Sequence, residues 1–195
     1  MRSRDAVTLL AVGGSVAGAL LLPGVQASRV PPGVEVVRIR DAPGCPGSGE
    51  LPTPGNISST RTAILCLLNR ARAEHGLAPL TRNSSLELAS QRHSEDMARR
   101  DFYEHDTPEG LAPISRMAIA GYSTGTASVG ENIHWGRDVN ATPVRIFQDW
   151  MESAGHRANI LLPHFTEVGV GVAHEAPHPA VQGPVGVYTT DFGGR

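Results

Sequence analysis

The stretch GHRANILLPHFTEVGVGVA, residues 155–173, decides the reading of the fold because it changes period part-way. Its first half leads from a Gly-His-Arg corner through an apolar turn at Ile160-Leu161-Leu162. In its second half Val168, Val170 and Val172 alternate with Gly169, Gly171 and Ala173, the period-2 pattern of an extended chain. Alternation returns from Val185 to Phe192 after a Pro/His/Gly loop, so the chain ends in two neighbouring antiparallel strands.

Upstream the period is helical. From Ser59, Ala63, Ile64, Leu67, Leu68 and Ala71 recur at helix spacing until Gly76. A second helix runs from Ser84 to about Arg100, with Ser84 and Glu87 at capping-box spacing and Leu86, Ala89, Ser90, His93 and Met97 on one face. Pro113 and Gly121 bracket a short third helix. Thr142-Pro143 opens a fourth, carrying Val144, Phe147, Trp150 and Met151. Helices first and strands last predict an α+β layered domain.

The chain opens with Arg2, Arg4, an apolar run from Ala6 to Leu22 and Val25-Gln26-Ala27, the pattern of a secretory signal peptide cut after Ala27. Residues 28–58 hold Pro31-Pro32, Pro43, Pro46, Pro52 and Pro54 and read as an extended linker. The expected organisation is therefore a signal peptide over 1–27, a linker over 28–58 and one domain over 59–195. In an exported chain the two cysteines, Cys45 and Cys66, pair as a disulfide that pins the linker onto the domain.

A formal charge of −2 and the lack of a basic cluster exclude an electrostatic nucleic-acid partner. All 17 basic residues are arginine, which removes Schiff-base and lysine-base chemistry. His174-Glu175-Ala176-Pro177-His178 matches the zinc-protease pattern, but Pro177 and Pro179 forbid the helix that would bring both imidazoles to one face. Gly121-Tyr122-Ser123-Thr124-Gly125 matches the nucleophile elbow, but a helix enters it where a strand is required. His93, on the apolar face of helix two, reads as a hydrogen-bonded core residue.

Three polar groups remain where apolar periodicity breaks, and all three are expected in loops: His105, Glu131 and His156. Imidazoles and a carboxylate from separate segments can hold a polar ligand group or a borderline metal ion if folding gathers them.

The motifs around them, in order, are Leu68-Asn69-x-x-Arg72, His93-Ser94-x-Asp96-Met97, Phe102-x-x-His105, Gly130-Glu131-Asn132-Ile133, Trp150-Met151, Gly155-His156-Arg157-x-Asn159-Ile160-Leu161 and Gly169-Val170-Gly171. In this order they resemble the CAP superfamily of cysteine-rich secretory, antigen 5 and pathogenesis-related-1 proteins, in its small bacterial branch, over roughly residues 60–193. The resemblance implies a three-layer α-β-α sandwich with an antiparallel sheet and a broad cleft floored by two histidines and two glutamates. His105, Glu131 and His156 carry over, with Asn132 and Ser153 beside them in the cleft. The fourth member does not, because the family's second glutamate falls on Ser153. Glu152 is one place earlier, a rotation of about 100° on a helix. A divalent ion such as zinc would then have only His105 and His156 as imidazole ligands, in a weak, pH-dependent site; no cofactor is required.

The leading functional expectation is a secreted, non-catalytic CAP domain that binds a small, lipid-like or cell-envelope ligand, with no residue assigned a catalytic role. The alternatives are a hydrolase or peptidase using the His/Glu cleft with Ser153 or a metal-bound water as attacker, and a structural or interaction module tethered to the membrane by an uncleaved signal.

Overall fold

The computed structural model describes residues 39–125, 127–175 and 183–194. The expected signal peptide over 1–27 and His178 of the zinc-protease match lie outside the described residues. The elements are α1 (Ile57–Glu74), β1 (Thr81–Arg82), α2 (Ser84–Arg100), α3 (Pro113–Ile119), β2 (Ser128–Arg137), a 3-10 turn (Asp138–Ala141), α4 (Pro143–Glu152), α5 (Ala154–Ile160), β3 (Glu167–Ala173) and β4 (Val185–Gly194).

The four strands form one sheet in the order β1-β3-β4-β2. The three long strands are antiparallel, and the two-residue β1 adds in parallel along β3. β4, between two long partners, is buried at all ten positions. Its length is paired with β2 from Ser128↔Gly194 to Arg137↔Val185.

One face of the sheet packs on α1, α4 and α5 through Ile64, Leu68, Ile146, Trp150, Ile160 and the valines of β3. The other face carries α2 and α3, with Leu86, Ala89, Met117 and Tyr122 forming one cluster and Met97, Ile133 and Val187 another. Two cores flank a sheet, which makes the three expected layers.

The glycines of β3 set the distance between two of those layers. A Cβ on Gly169 would collide with the Leu86–Glu87 backbone, and one on Gly171 with the backbone of Ser90 and Gln91. Helix α2 therefore lies directly on the strand, an approach that any side chain would block. Ser90 uses this closeness to donate to the Gly169 carbonyl at 3.1 Å.

Buried polar groups tie the loops down. The Arg72 guanidinium, fully buried, caps the carbonyls of Ala78, Ile160, Leu162 and Phe165 at 2.8 to 3.0 Å. Asn69 brackets Leu80, accepting from its N–H and donating to its carbonyl. Cys45 and Cys66 are bridged with their Cα atoms 5.6 Å apart. In the chain-entropy account, closing that loop stabilises by about 3 kcal/mol.

The structure departs from three expectations. Asn83 caps α2, its side chain accepting from the N–H groups of Ser85 and Leu86, where a Ser84 box was expected. The Gly130-Glu131-Asn132 segment is strand β2, where a loop was expected; His156, a loop position by pattern and a helix end by the motif resemblance, lies in the first turn of α5. Between Ile39 and Asn56 the expected linker includes turns packed on the domain, with Cys45 and Ser48 buried and Ser48 accepting from the Val144 N–H at 2.8 Å.

Candidate functional site

β2 is the outermost long strand, and period 2 sends its side chains alternately to the two helical layers. Glu131 meets groups from the α2–α3 layer, whereas Asn132 and His134 meet groups from α4 and α5.

His105 sits in the loop between α2 and α3 and donates from Nδ1 to Glu131 Oε1 at 2.7 Å. Its side chain is 51% exposed and that of Glu131 is 2% exposed, so the pair is an anchored imidazole standing on a buried carboxylate. Arg116, in the middle of α3, completes the arrangement. Its Nη2 donates to Glu131 Oε2, and its Nη1 donates to the carbonyls of His105 and Leu111 at 2.6 and 2.9 Å. One guanidinium thus fixes both the backbone of the histidine and the carboxylate beneath it.

Burial pushes the Glu131 carboxyl up, but the hydrogen bond from His105 and the charge of Arg116 outweigh it, and the group stays below the usual carboxylate range. The Glu131 hydrogen bond raises His105 above the ordinary imidazole value against the opposing effect of burial. His93 is 1% exposed and lowered by burial, so it is held neutral; its Nε2 donates to the Glu104 carbonyl at 3.1 Å.

His156 approaches from the other layer. It is half-buried on α5, and its basicity is lowered by burial and then by the nearby charges of His134 and His105. No hydrogen bond joins its ring to His105 or Glu131 among the described residues. Asn132 holds it in place through the main chain: fully buried, it donates to the His156 carbonyl at 3.0 Å. Asn159 in turn donates to Asn132 Oδ1 and the Glu131 carbonyl. Asn132, expected as a cleft contact, is therefore spent on bracing α5 against β2.

Ser153 occupies the N-cap position of α5, and its side chain makes no capping hydrogen bond. No imidazole nitrogen is its partner among the described residues. A second imidazole–carboxylate pair lies beside His156: His134 Nε2 is 3.0 Å from Asp149 Oδ2, both partly exposed. His105 lines a shallow hollow of about 540 Å³ with Phe102, Glu104, Asp106, Thr107 and Pro108. A larger groove of about 760 Å³ between α2 and the 107–111 turn is lined in part by His93 and Arg116.

Among the described residues no three His, Cys, Asp or Glu side chains converge on one point as a metal would require. Both oxygens of Glu131 are engaged, one of them by a guanidinium, so Glu131 is not a free third ligand beside the His105 and His156 pair expected to hold zinc.

Sequence reasoning missed Arg116, His134, Asp149 and Asp191. Only Asp191 left a local signal, a carboxyl in the otherwise uncharged strand run Val185 to Phe192.

The profile of the cysteine-rich secretory protein family, CAP, matches residues 65–190. The chain is 36% identical over 118 residues to the uncharacterized protein YkwD of Bacillus subtilis, covering 60% of this chain and 44% of that one. It is 28% identical to an extracellular protein containing a SCP domain from Bacillus anthracis, with a TM-score of 0.60 and coverage of 74% and 44%. A cysteine-rich secretory protein from Staphylococcus aureus shares the fold at 18% identity and a TM-score of 0.54, covering 73% of this chain and 40% of that one. The fold and these matches define a CAP domain of the bacterial SCP-like kind. This chain belongs to the cysteine-rich secretory protein family. It spans less than half the length of the curated relatives it matches.

Proposed function

We propose that this is an exported CAP domain that binds a small, lipid-like or cell-envelope ligand without turning it over, with His105 as the anchoring contact and His156 at the rim. The observation that carries the reading is the His105–Glu131–Arg116 arrangement. It holds a half-exposed imidazole rigidly, with Nδ1 committed to Glu131 and Nε2 without a partner among the described residues. Nε2 accepts a hydrogen bond from a ligand hydroxyl or amide when the ring is neutral and donates one to a ligand oxygen when the ring is protonated, and a fixed partner binds at a low ordering cost. No hydroxyl or thiol stands against an imidazole among the described residues, and both cysteines are in the disulfide. The disulfide and the extracellular relative from Bacillus anthracis support export.

The test is a thermal-shift panel of bacterial envelope lipids and cell-wall fragments on wild type and His105→Ala. A shift in wild type that the variant loses is expected. No shift with any member of the panel counts against the reading.

One observation favours a hydrolytic alternative: His105 on Glu131 is also how a general base is oriented by a carboxylate. It needs an attacker that only a bound water could supply. Equal turnover of a peptide library by wild type and His105→Ala would remove it.

A further inference from the structure

Glu131 has a second carboxyl beside it. Asp191 is its direct partner in the β2–β4 ladder, and on the other side Asp191 faces Gly169 of β3. With no side chain at Gly169, α2 closes down over that point, and Asp191 is 0% exposed. Two carboxyl groups from adjacent strands thus lie on the α2-facing side of the sheet, away from water.

The hydrogen bonds around them are unequal. Glu131 receives His105 and Arg116. Among the described residues, neither side-chain oxygen of Asp191 receives a hydrogen bond from a protein N–H or hydroxyl. Ser90, the nearest hydroxyl, directs its proton to the carbonyls of Leu86 and Gly169 and accepts from the Asp191 backbone N–H. Arg116 directs its guanidinium to Glu131 and to two carbonyls. His93, from α2, is neutral and donates to the Glu104 carbonyl. A buried carboxylate with no donor costs several kcal/mol. A buried carboxylic acid beside a carboxylate instead has a partner ready, because its own O–H can donate.

We propose that Asp191 is a positioning residue for the cleft: as a neutral carboxylic acid it donates its O–H to the Glu131 carboxylate across the β2–β4 ladder. Glu131 then has donors from three elements, His105 from the α2–α3 loop, Arg116 from α3 and Asp191 from β4, and its carboxylate cannot swing away from the imidazole. Burial, and then the charge of Glu131, push Asp191 well above the usual carboxylate range, against smaller effects of Ser90 and Arg116. The inference rests on the cleft reading for its purpose alone. Both measurements below use ligand-free protein, so failure of the lipid panel leaves them standing.

The first measurement is infrared spectroscopy of wild type labelled with 13C at the aspartate side-chain carboxyl, at neutral pH. One isotope-shifted band of a protonated carboxyl is expected; its absence overturns the proposal. The second is an NMR titration of His105 in wild type and Asp191→Asn, whose amide keeps a donor and carries no charge. The midpoint is expected to stay within about twofold in proton affinity. If wild-type Asp191 were charged, its loss would lower that affinity by about tenfold or more, and such a fall would overturn the proposal. The infrared measurement needs no variant and stands if Asp191→Asn does not fold.

Discussion

Arg116 and Glu131 form an ion pair whose side chains are only 8% and 2% exposed. A buried pair is weak support for net stability, because desolvation offsets most of the attraction, but removing one partner strands the other. Arg116→Met leaves Glu131 without its counter-charge and frees the carbonyls of His105 and Leu111. Urea denaturation is expected to show a loss of about 3 to 5 kcal/mol. Arg116→Met combined with Glu131→Leu should recover much of it, and a double variant as unstable as the single one would contradict this account.

His105 and His156 should respond to pH with opposite signs. His105 is raised above its ordinary 6.5 by the Glu131 hydrogen bond, so folding favours its protonated form. That contribution is complete below pH 6.5 and disappears as pH rises through the folded value. His156 is lowered from 6.5, first by burial and then by His134 and His105, so folding opposes its protonation. Its penalty is absent above pH 6.5 and grows as pH falls toward the folded value. Urea midpoints of His105→Gln and His156→Gln, compared with wild type at about pH 5.5 and about pH 8, check this. His105→Gln should lose more at acid pH, and His156→Gln should gain there. The same sign for both variants would refute the assignment.

Helices α1, α2 and α4 and the last two strands were legible because a single period ran through each: apolar spacing for the helices, and Val/Gly alternation for β3. β2 was not, because its Glu131, Asn132 and His134 answer to hydrogen-bonding partners on both faces and its apolar alternation is broken. α5 has only seven residues, too few for a periodic face to stand out. His105, Glu131 and His156 stood out where apolar periodicity breaks, but a shared cleft was reached only through motif resemblance, since spacings of 25 or so residues carry no geometry. Arg116 stayed hidden because an arginine in a short amphipathic helix reads as solvated, and its role exists only once α3 is laid against β2.

Two glycine substitutions separate close packing from mere flexibility. At Gly171 a methyl would enter the backbone of Ser90 and Gln91, which cannot rotate away. Gly171→Ala is expected to destabilise by about 3 kcal/mol. Gly155, inside α5, has open space where its Cβ would stand. Gly155→Ala should be neutral or stabilising by up to about 1 kcal/mol, the helix-propensity difference. Thermal melts of both variants settle it, and equal effects would show that α2 is not seated on β3 as described.

Asn132 tests whether His156 is placed by its helix or by the strand. The Asn132 amide donates to the His156 carbonyl at 3.0 Å and accepts from Asn159 at 2.9 Å. Asn132→Ala removes a hydrogen bond to the His156 carbonyl and leaves half of the Asn159 amide without its partner, at about 1 to 3 kcal/mol. The second consequence is specific to the site. With α5 released from β2, His156 moves away from His105 and His134 and into more water, so the causes that lower it weaken together. An NMR titration of Asn132→Ala is therefore expected to show the His156 midpoint rising toward 6.5. His105, held by Glu131 and Arg116 from the other layer, should keep its raised value. If both midpoints moved together, the two imidazoles would be coupled through the sheet, and their independent anchoring on β2 would be wrong.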